Sequence, residues 1–116
     1  MKELIDSFSA IIDRYEVVKD QENPKISELK IRIIFTDQSI LEYSEVNVIP
    51  IQKRKYSFQW METDYQLRVR WANASHHTHI ATHPHHKHVR DEKNILESDE
   101  MTLEKVLKEI EGKLTL

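Results

Sequence analysis

The histidines of this chain are confined to one short segment. The run NASHHTHIATHPHHKHV, residues 73–89, contains all seven of them within 13 positions. Imidazole has an ordinary pKa near 6.5, so it exchanges protons readily at neutral pH, and its neutral form is also a metal ligand. Because random placement seldom produces such a cluster, we expect the segment to do chemistry. The seven are His76, His77, His79, His83, His85, His86 and His88.

Cleavage of RNA is one reaction that these residue types suit. Without a metal it needs a base for the 2′-hydroxyl proton, an acid for the leaving 5′-oxygen, and cations that stabilise the charged phosphorane. Two imidazoles can do the proton transfers, and Arg or Lys the stabilisation. The predicted catalytic residues are His76, His77, His85, His86, His88 and Arg70. The predicted contacts to the RNA backbone are Lys55, Arg68, Lys87 and Arg90.

Metal binding is a second chemistry, and the sequence leaves it open. In an extended segment residues i and i+2 point the same way, so pairs such as His77 with His79 can chelate Zn²⁺ or a similar ion. The spacing fits neither a zinc finger nor HExxH, and carboxylates nearby are few. We therefore predict no metal cofactor, with a metal-dependent enzyme as the alternative. A non-catalytic binding module that responds to pH or metal is the third hypothesis.

Positive charge is concentrated around the histidines, although the whole chain has a net charge of −3. Residues 51–93 contain eight basic and four acidic side chains, whereas residues 1–50 contain six basic and ten acidic. A local basic patch is what phosphate binding requires. The alternative is that these cations only solvate an open sheet face.

Apolar periodicity indicates the elements that must position these side chains. Residues 2–14 and 103–114 carry apolar side chains at helical spacing. Four runs between residues 27 and 71 read instead as consecutive antiparallel strands with short turns. Alternation in the second run is imperfect, which predicts a bulge or a bend. In the last two runs the residues predicted to face the core are Tyr56, Phe58, Trp60, Leu67, Val69 and Trp71.

The predicted architecture is a single α+β domain over residues 1–116. A four-stranded antiparallel meander is covered on one face by the N- and C-terminal helices, and a His-rich loop follows the last strand. The chain has no cysteine, which excludes disulfides, Cys-ligated zinc and thiol nucleophiles. No run approaches the roughly 20 apolar residues of a membrane span, and the N-terminus lacks the apolar segment of a signal peptide. We therefore expect a cytoplasmic protein without membrane contact.

Three stretches together resemble the TumE family of toxins from toxin–antitoxin pairs. YSFQW (residues 56–60) is similar to an aromatic strand of that family, and RWANASHH (residues 70–77) to a strand that ends in a double histidine. THPHHKH (residues 82–88) is similar to the second histidine block. The resemblance implies a growth-arresting toxin that is neutralised by a small helix-turn-helix antitoxin. It does not identify the target, so RNA as substrate is inferred from the His and Arg chemistry, and a homodimer is possible.

Four positions depart from the pattern of that family. Ala72 stands where the family has Asp, Ser75 where it has Pro, His83 where it has Phe, and Gln59 where it has His. If the Asp orients a histidine, its absence leaves the role of that histidine open. His83 is an additional histidine, so it ranks below His85 and His86 as a catalytic candidate.

Overall fold

The protein is built on one antiparallel sheet of seven strands with two short helices, in a computed structural model that describes residues 1–115. Each strand pairs with the next strand in the chain, so the sheet is a meander. A 3-10 turn, Ile49–Ile51, links the third and fourth strands. The elements are α1 (Lys2–Asp6), β1 (Ile12–Glu22), β2 (Ile26–Phe35), β3 (Ile40–Val48), β4 (Lys53–Met61), β5 (Leu67–Ala72), β6 (His86–Val89), β7 (Ile95–Glu97) and α2 (Leu103–Leu114).

The predicted α+β fold with a four-stranded meander is therefore wrong, because the protein is mostly β. The four predicted strands exist as β2 to β5 and form the centre of the sheet. One strand is added before them and two after them. The predicted bulge in β3 is also wrong, since β3 pairs in continuous register with both neighbours.

The first missed strand, β1, lies at the edge of the sheet and pairs with β2 alone. Nearly all of its side chains are exposed, so it lacks the alternation of apolar and polar residues that marks a half-buried strand. The predicted helix over residues 2–14 shortens to α1. Its apolar side chains Ile5, Phe8 and Ile11 are nevertheless buried in the core, because turns after α1 fold them onto the sheet.

The other missed strands, β6 and β7, lie in and just after the histidine segment. β6 has the sequence HKHV, and β7 has only three residues. Polar side chains and a nearby Pro84 are typical of loops, which is why the sequence predicted one. The backbone of β6 instead pairs with β5 on one side and β7 on the other. The predicted loop is thus reduced to residues 73–85.

One face of the sheet, the covered face, packs against α2 and the segment around α1. Val106, Leu107 and Ile110 of α2 are fully buried there, and the Thr102 hydroxyl caps the helix by accepting a hydrogen bond from the Lys105 amide at 3.2 Å. The predicted core positions of β4 and β5 are confirmed, both tryptophans included, except for Leu67, which pairs with Met61 across a shift in register and is only partly buried. Buried side chains of the covered face are Ile31, Ile33, Leu41, Tyr43, Phe58, Trp60, Val69 and Trp71.

Candidate active site

Strand pairing places two histidines beside Arg70 on the other face of the sheet, the open face. Arg70 lies opposite His88, and Ala72 lies opposite His86. Directly paired residues of antiparallel strands point to the same side of the sheet. Arg70 also pairs with Gln59 of β4, whose neighbours in β4, Phe58 and Trp60, face the core. The open face therefore carries Gln59, Arg70 and His88 in one row and Ala72 and His86 in the next.

The loop of residues 73–85 returns a third histidine to this face. The ring centroid of His77 lies 4.7 Å from that of His86 and 5.5 Å from that of His88. Those of His86 and His88 are 5.0 Å apart. One ligating nitrogen from each of the three lies within 4.8 Å of the others. We call these three residues the histidine triad of the open face.

Backbone carbonyls fix the orientation of two triad rings. His86 Nδ1 lies 2.9 Å from the Pro84 carbonyl oxygen, and His88 Nδ1 lies 2.7 Å from the Glu92 carbonyl oxygen. A carbonyl oxygen can only accept, so each Nδ1 donates, and the neutral ring keeps its lone pair on Nε2. The geometry thus presents two Nε2 lone pairs as bases or as ligands.

Burial favours the neutral form of His77 and of His86. His86 and His88 are only 2% and 3% exposed. Burial lowers the pKa of His86 despite the opposing hydrogen bond to Pro84. Burial lowers the pKa of His77 as well, and the charges that neighbouring imidazoles carry when protonated lower it further. Neutral imidazole is the form that accepts a proton or binds a metal.

Arg70 and the exposed Glu92 form an ion pair at the edge of the triad. The Glu92 carboxylate also lies 3.8 Å from His88 Nδ1. An exposed ion pair contributes about 0–1 kcal/mol, so an incoming phosphate can replace Glu92 as the partner of Arg70. The sequence predicted Arg70 as the phosphate-stabilising residue, and it is the predicted cation that the structure places beside the triad.

Asn73 is a positioning residue that sequence reasoning missed. Its side chain accepts a hydrogen bond from the Tyr56 amide at 2.9 Å and donates one to the Arg54 carbonyl at 2.7 Å. The Asn73 side chain thus adds two hydrogen bonds to β4 just beyond the last pair of β4 and β5, Ser57 with Ala72, and fixes where the histidine loop begins. An Asn directly after a strand was the available signal, since its side chain can imitate a peptide group.

A groove of about 730 Å³ opens on the N-terminal side of the histidine loop. His76 lies on its wall, and its ring centroid is 4.2 Å from that of His77 and 6.4 Å from that of His86. Among the described residues that line it, none is acidic. The basic or imidazole side chains on its wall are Lys53, Arg54, Lys55, His76 and His83.

Two predicted site residues lie on the covered side instead. His85 Nδ1 is 2.8 Å from the Tyr56 hydroxyl, which also accepts a hydrogen bond from the Met101 amide. Lys87 pairs with Trp71 in β5 and lines a small pocket against α2. Because side chains alternate along a strand, a position between His86 and His88 cannot face the triad.

Two more predicted cations already have acidic partners. Arg68 forms ion pairs with Glu62 and, at 3.0 Å, with Asp37. Arg90 Nη1 lies 3.3 Å from the same Glu62. Of the four predicted RNA-backbone contacts, only Lys55 lines the groove beside His76.

The fold and site define a small β-sheet protein with one face closed by helices and a histidine centre on the other. The chain matches the family model described as Toxin TumE over residues 1–114, nearly its whole length. It therefore belongs to the TumE toxin family, which confirms the resemblance read from the sequence, and family membership implies an antitoxin partner. No curated protein and no solved structure matches the chain. Within residues 1–115, no helix is long and apolar enough to cross a membrane.

Two departures from the family pattern lie inside the site. Ala72 stands at a position where the family pattern has Asp, and it pairs directly with His86. Gln59 stands at a position where the family pattern has His, and it pairs directly with Arg70. The Pro84 carbonyl receives the His86 Nδ1–H, so this ring is oriented without a carboxylate at position 72.

Proposed function

We propose that this toxin cleaves RNA without a metal, using histidines as acid and base and Arg70 to stabilise the phosphorane. The observation that carries the proposal is the convergence of the histidine triad beside Arg70 on the open face, where two rings donate Nδ1–H to a carbonyl and keep the Nε2 lone pair. A protein of this family that is controlled by an antitoxin and acts on RNA would work in the cytoplasm, where RNA is present.

In this mechanism the acid and the base act on opposite sides of one phosphorus atom. The base removes the 2′-hydroxyl proton, and the 2′-oxygen attacks phosphorus. The bond from phosphorus to the 5′-oxygen breaks, and the acid gives that oxygen a proton. The products are a 2′,3′-cyclic phosphate and a 5′-hydroxyl. Arg70 donates to the non-bridging oxygens while their charge grows.

Spacing suggests which histidines take the two roles. The acid and the base each lie within about 3 Å of their own oxygen, so two members of a triad as compact as this one are too close together. We propose His86 as the base, since its Nε2 carries the lone pair. His76, whose ring centroid is 6.4 Å from that of His86, takes the role of the acid.

The groove beside His76 is the proposed path of the RNA strand. Lys53 and Lys55 lie on its wall and are exposed, and the described lining has no acidic side chain. Phosphates of a single strand would follow these cations towards Arg70. Lys87, Arg68 and Arg90 are expected to add less, because they face α2 or are paired with Glu62.

The proposed antitoxin is a small helix-turn-helix protein, as the family resemblance suggests. A homodimer of the toxin is a further possibility. Both are tested by size-exclusion chromatography with light scattering, on the toxin alone and with the product of an adjacent short reading frame.

Purified protein incubated with total cellular RNA in EDTA tests the proposed activity. We expect cleavage with 2′,3′-cyclic phosphate ends and no cleavage of a DNA oligonucleotide, which lacks the 2′-hydroxyl. His86→Ala or His76→Ala should lower the rate by about 10²–10⁴-fold. His79→Ala is the matched control, because it removes a histidine that lies outside the triad and does not line the groove. Full cleavage by a His76→Ala, His86→Ala double mutant that retains the wild-type circular dichroism spectrum would contradict this site.

A metal-dependent enzyme is the second candidate, favoured by the approach of three ligating nitrogens within 4.8 Å. In that case EDTA abolishes cleavage and added metal restores it. If no RNA is turned over under either condition, a non-catalytic binding module gains support.

A further inference from the structure

The histidine triad has the dimensions of a metal site as well as of a base. Its three ligating nitrogens lie within 4.8 Å of one another. Around Zn²⁺ each Zn–N bond is about 2.0–2.1 Å, so two nitrogens of one tetrahedral site lie about 3.3–3.4 Å apart. His77 lies in a loop and is only half-buried, so its ring is the one that would move to close the remaining gap.

The surroundings of the triad are those that orient metal ligands. A metal-bound histidine commonly donates its other ring N–H to a carbonyl or carboxylate, which fixes the tautomer. His86 and His88 both make this bond, to the carbonyls of Pro84 and Glu92. Both rings are more than nine-tenths buried, so little side-chain freedom remains to be lost when an ion binds.

The donor set limits which ion fits. Three neutral imidazoles suit Zn²⁺, Cu²⁺, Ni²⁺ or Co²⁺, whereas Mg²⁺ and Ca²⁺ require oxygen ligands. The nearest cation, Arg70, is paired with Glu92, so its charge is largely offset at the site. A fourth position is left open to water or to an anion.

We propose that the triad binds one Zn²⁺ ion per chain and that bound zinc inhibits the toxin. The inhibition rests on the proposed function, because the ion occupies the His86 Nε2 lone pair that the base needs. His77 and His88 supply the other two ligands. Zinc would also tie the histidine loop to β6 through His77, which would restrict the approach of the neighbouring His76 to a phosphate.

Titration of the EDTA-treated, dialysed full-length protein tests the binding. We expect one Zn²⁺ per chain by calorimetry, and Co²⁺ as a probe should give the visible absorption bands of tetrahedral coordination. Loss of a group that merely orients a ligand costs about 10–100-fold in affinity. His77→Ala, which removes a ligand itself, should therefore cost more than about 100-fold, and so should His86→Ala.

A double variant, His79→Ala with His83→Ala, is the matched control for this titration. It removes two histidines of the same segment that lie outside the triad, and its affinity and stoichiometry should equal those of the wild type. Equal losses in the control and in His77→Ala would show adventitious binding by a histidine-rich loop and would overturn the proposal. His77→Ala keeps the test valid if His86→Ala fails to fold, because His77 is in a loop.

Cleavage of total RNA by the same samples separates this inference from the proposed function. Inhibition that follows zinc occupancy and is reversed by EDTA supports both. Cleavage that zinc leaves unchanged overturns the inference alone, since the metal-free reaction then stands. Cleavage that requires zinc overturns the inhibition and favours the metal-dependent candidate. Absence of cleavage with intact zinc binding contradicts the proposed function and the inhibition but not the site.

Discussion

The two faces of the sheet differ in what their side chains do, although the same strands supply both. On the covered face Phe58, Trp60 and Trp71 are at most 3% exposed and stabilise the fold. On the open face, neighbouring positions of the same strands carry Gln59 and Arg70. Gln59 and Arg70 are partly exposed there, whereas His86 and His88 of β6 are at most 3% exposed. The comparison shows that one strand can supply the core and the candidate site at alternate positions.

Strand β6 shows this division most sharply. His86 and His88 face Arg70, whereas His85 and Lys87 on either side of His86 face Tyr56 and α2. A shift of one residue in the pairing with β5 would exchange the two sets. The register of this short strand therefore decides which histidines belong to the triad.

Removal of a core ring from the covered face should have the largest effect on stability. Phe58 is fully buried and stacks on Tyr43 with ring centroids 4.6 Å apart. Phe58→Ala should lower the free energy of unfolding by about 3–5 kcal/mol, measured by urea denaturation. Ser57→Ala is the control on the open face of the same strand, where we expect about 0.5 kcal/mol or less. Similar losses in both variants would remove the distinction between the faces.

Arg54 should have the next largest effect, because it ties the end of the sheet to the segment before α2. It donates to Glu45 and to the Met101 carbonyl, both at 2.8 Å, and lies over the Tyr56 ring. Arg54→Ala should cost about 2–3 kcal/mol. Lys53→Ala, an exposed cation next to it, is the control and should change stability little.

The cost of Arg54→Ala should depend on pH. Burial raises the pKa of Glu45, but hydrogen bonds from Asn47 and Arg54 outweigh it, so the net pKa is below its ordinary value of 4.5. A carboxyl whose pKa is lower in the folded state adds stability above pH 4.5, and that stability is lost as the pH falls through the folded value. The difference between wild type and Arg54→Ala should therefore shrink towards pH 3. Urea denaturation at pH 7 and at pH 3 measures it, and an unchanged difference would contradict the pairing.

Asn73 anchors the start of the histidine loop to the backbone of β4. Its loss should have a moderate effect on stability and a larger effect on the candidate site. Asn73→Ala leaves the Tyr56 amide and the Arg54 carbonyl without partners, at a cost of about 1–2 kcal/mol. Hydrogen exchange at the Tyr56 amide should become faster. RNA cleavage should fall further than in Ser75→Ala, a control in the same loop, because His76 and His77 lose their anchor. Equal rates in the two variants would show that Asn73 does not position them.

The smallest effect on stability is expected at the ion pair of the open face. Glu92→Gln removes the carboxylate that holds Arg70, and the free energy of unfolding should change by no more than about 0.5 kcal/mol. RNA binding should become tighter, because a phosphate no longer competes with Glu92 for the guanidinium. Fluorescence anisotropy with a labelled oligonucleotide measures this, with Asp91→Asn as the control. Unchanged or weaker binding would argue against Arg70 as the phosphate contact.

The central strands and the last helix were predictable because each buries one face. This burial requires apolar side chains at alternate positions in β4 and β5 and along one stripe of α2, and both patterns are visible in the sequence. The edge strand β1 buries almost nothing, and three of the four residues of β6 are polar, so neither leaves an apolar pattern. Both depend on hydrogen bonds to a neighbouring strand, which the local sequence does not encode.

The sequence by itself determined that all seven histidines lie within 13 positions, that Arg70 precedes them, and that the chain resembles the TumE family. Only the tertiary structure decided which histidines meet. Pairing between β5 and β6 selects His86 and His88, the return of the loop adds His77, and the same alternation turns His85 and Lys87 away. The reason is that the sequence lists residue types along the chain. Which side chains meet in space depends on the register between strands and on the path of a loop that is anchored at Asn73.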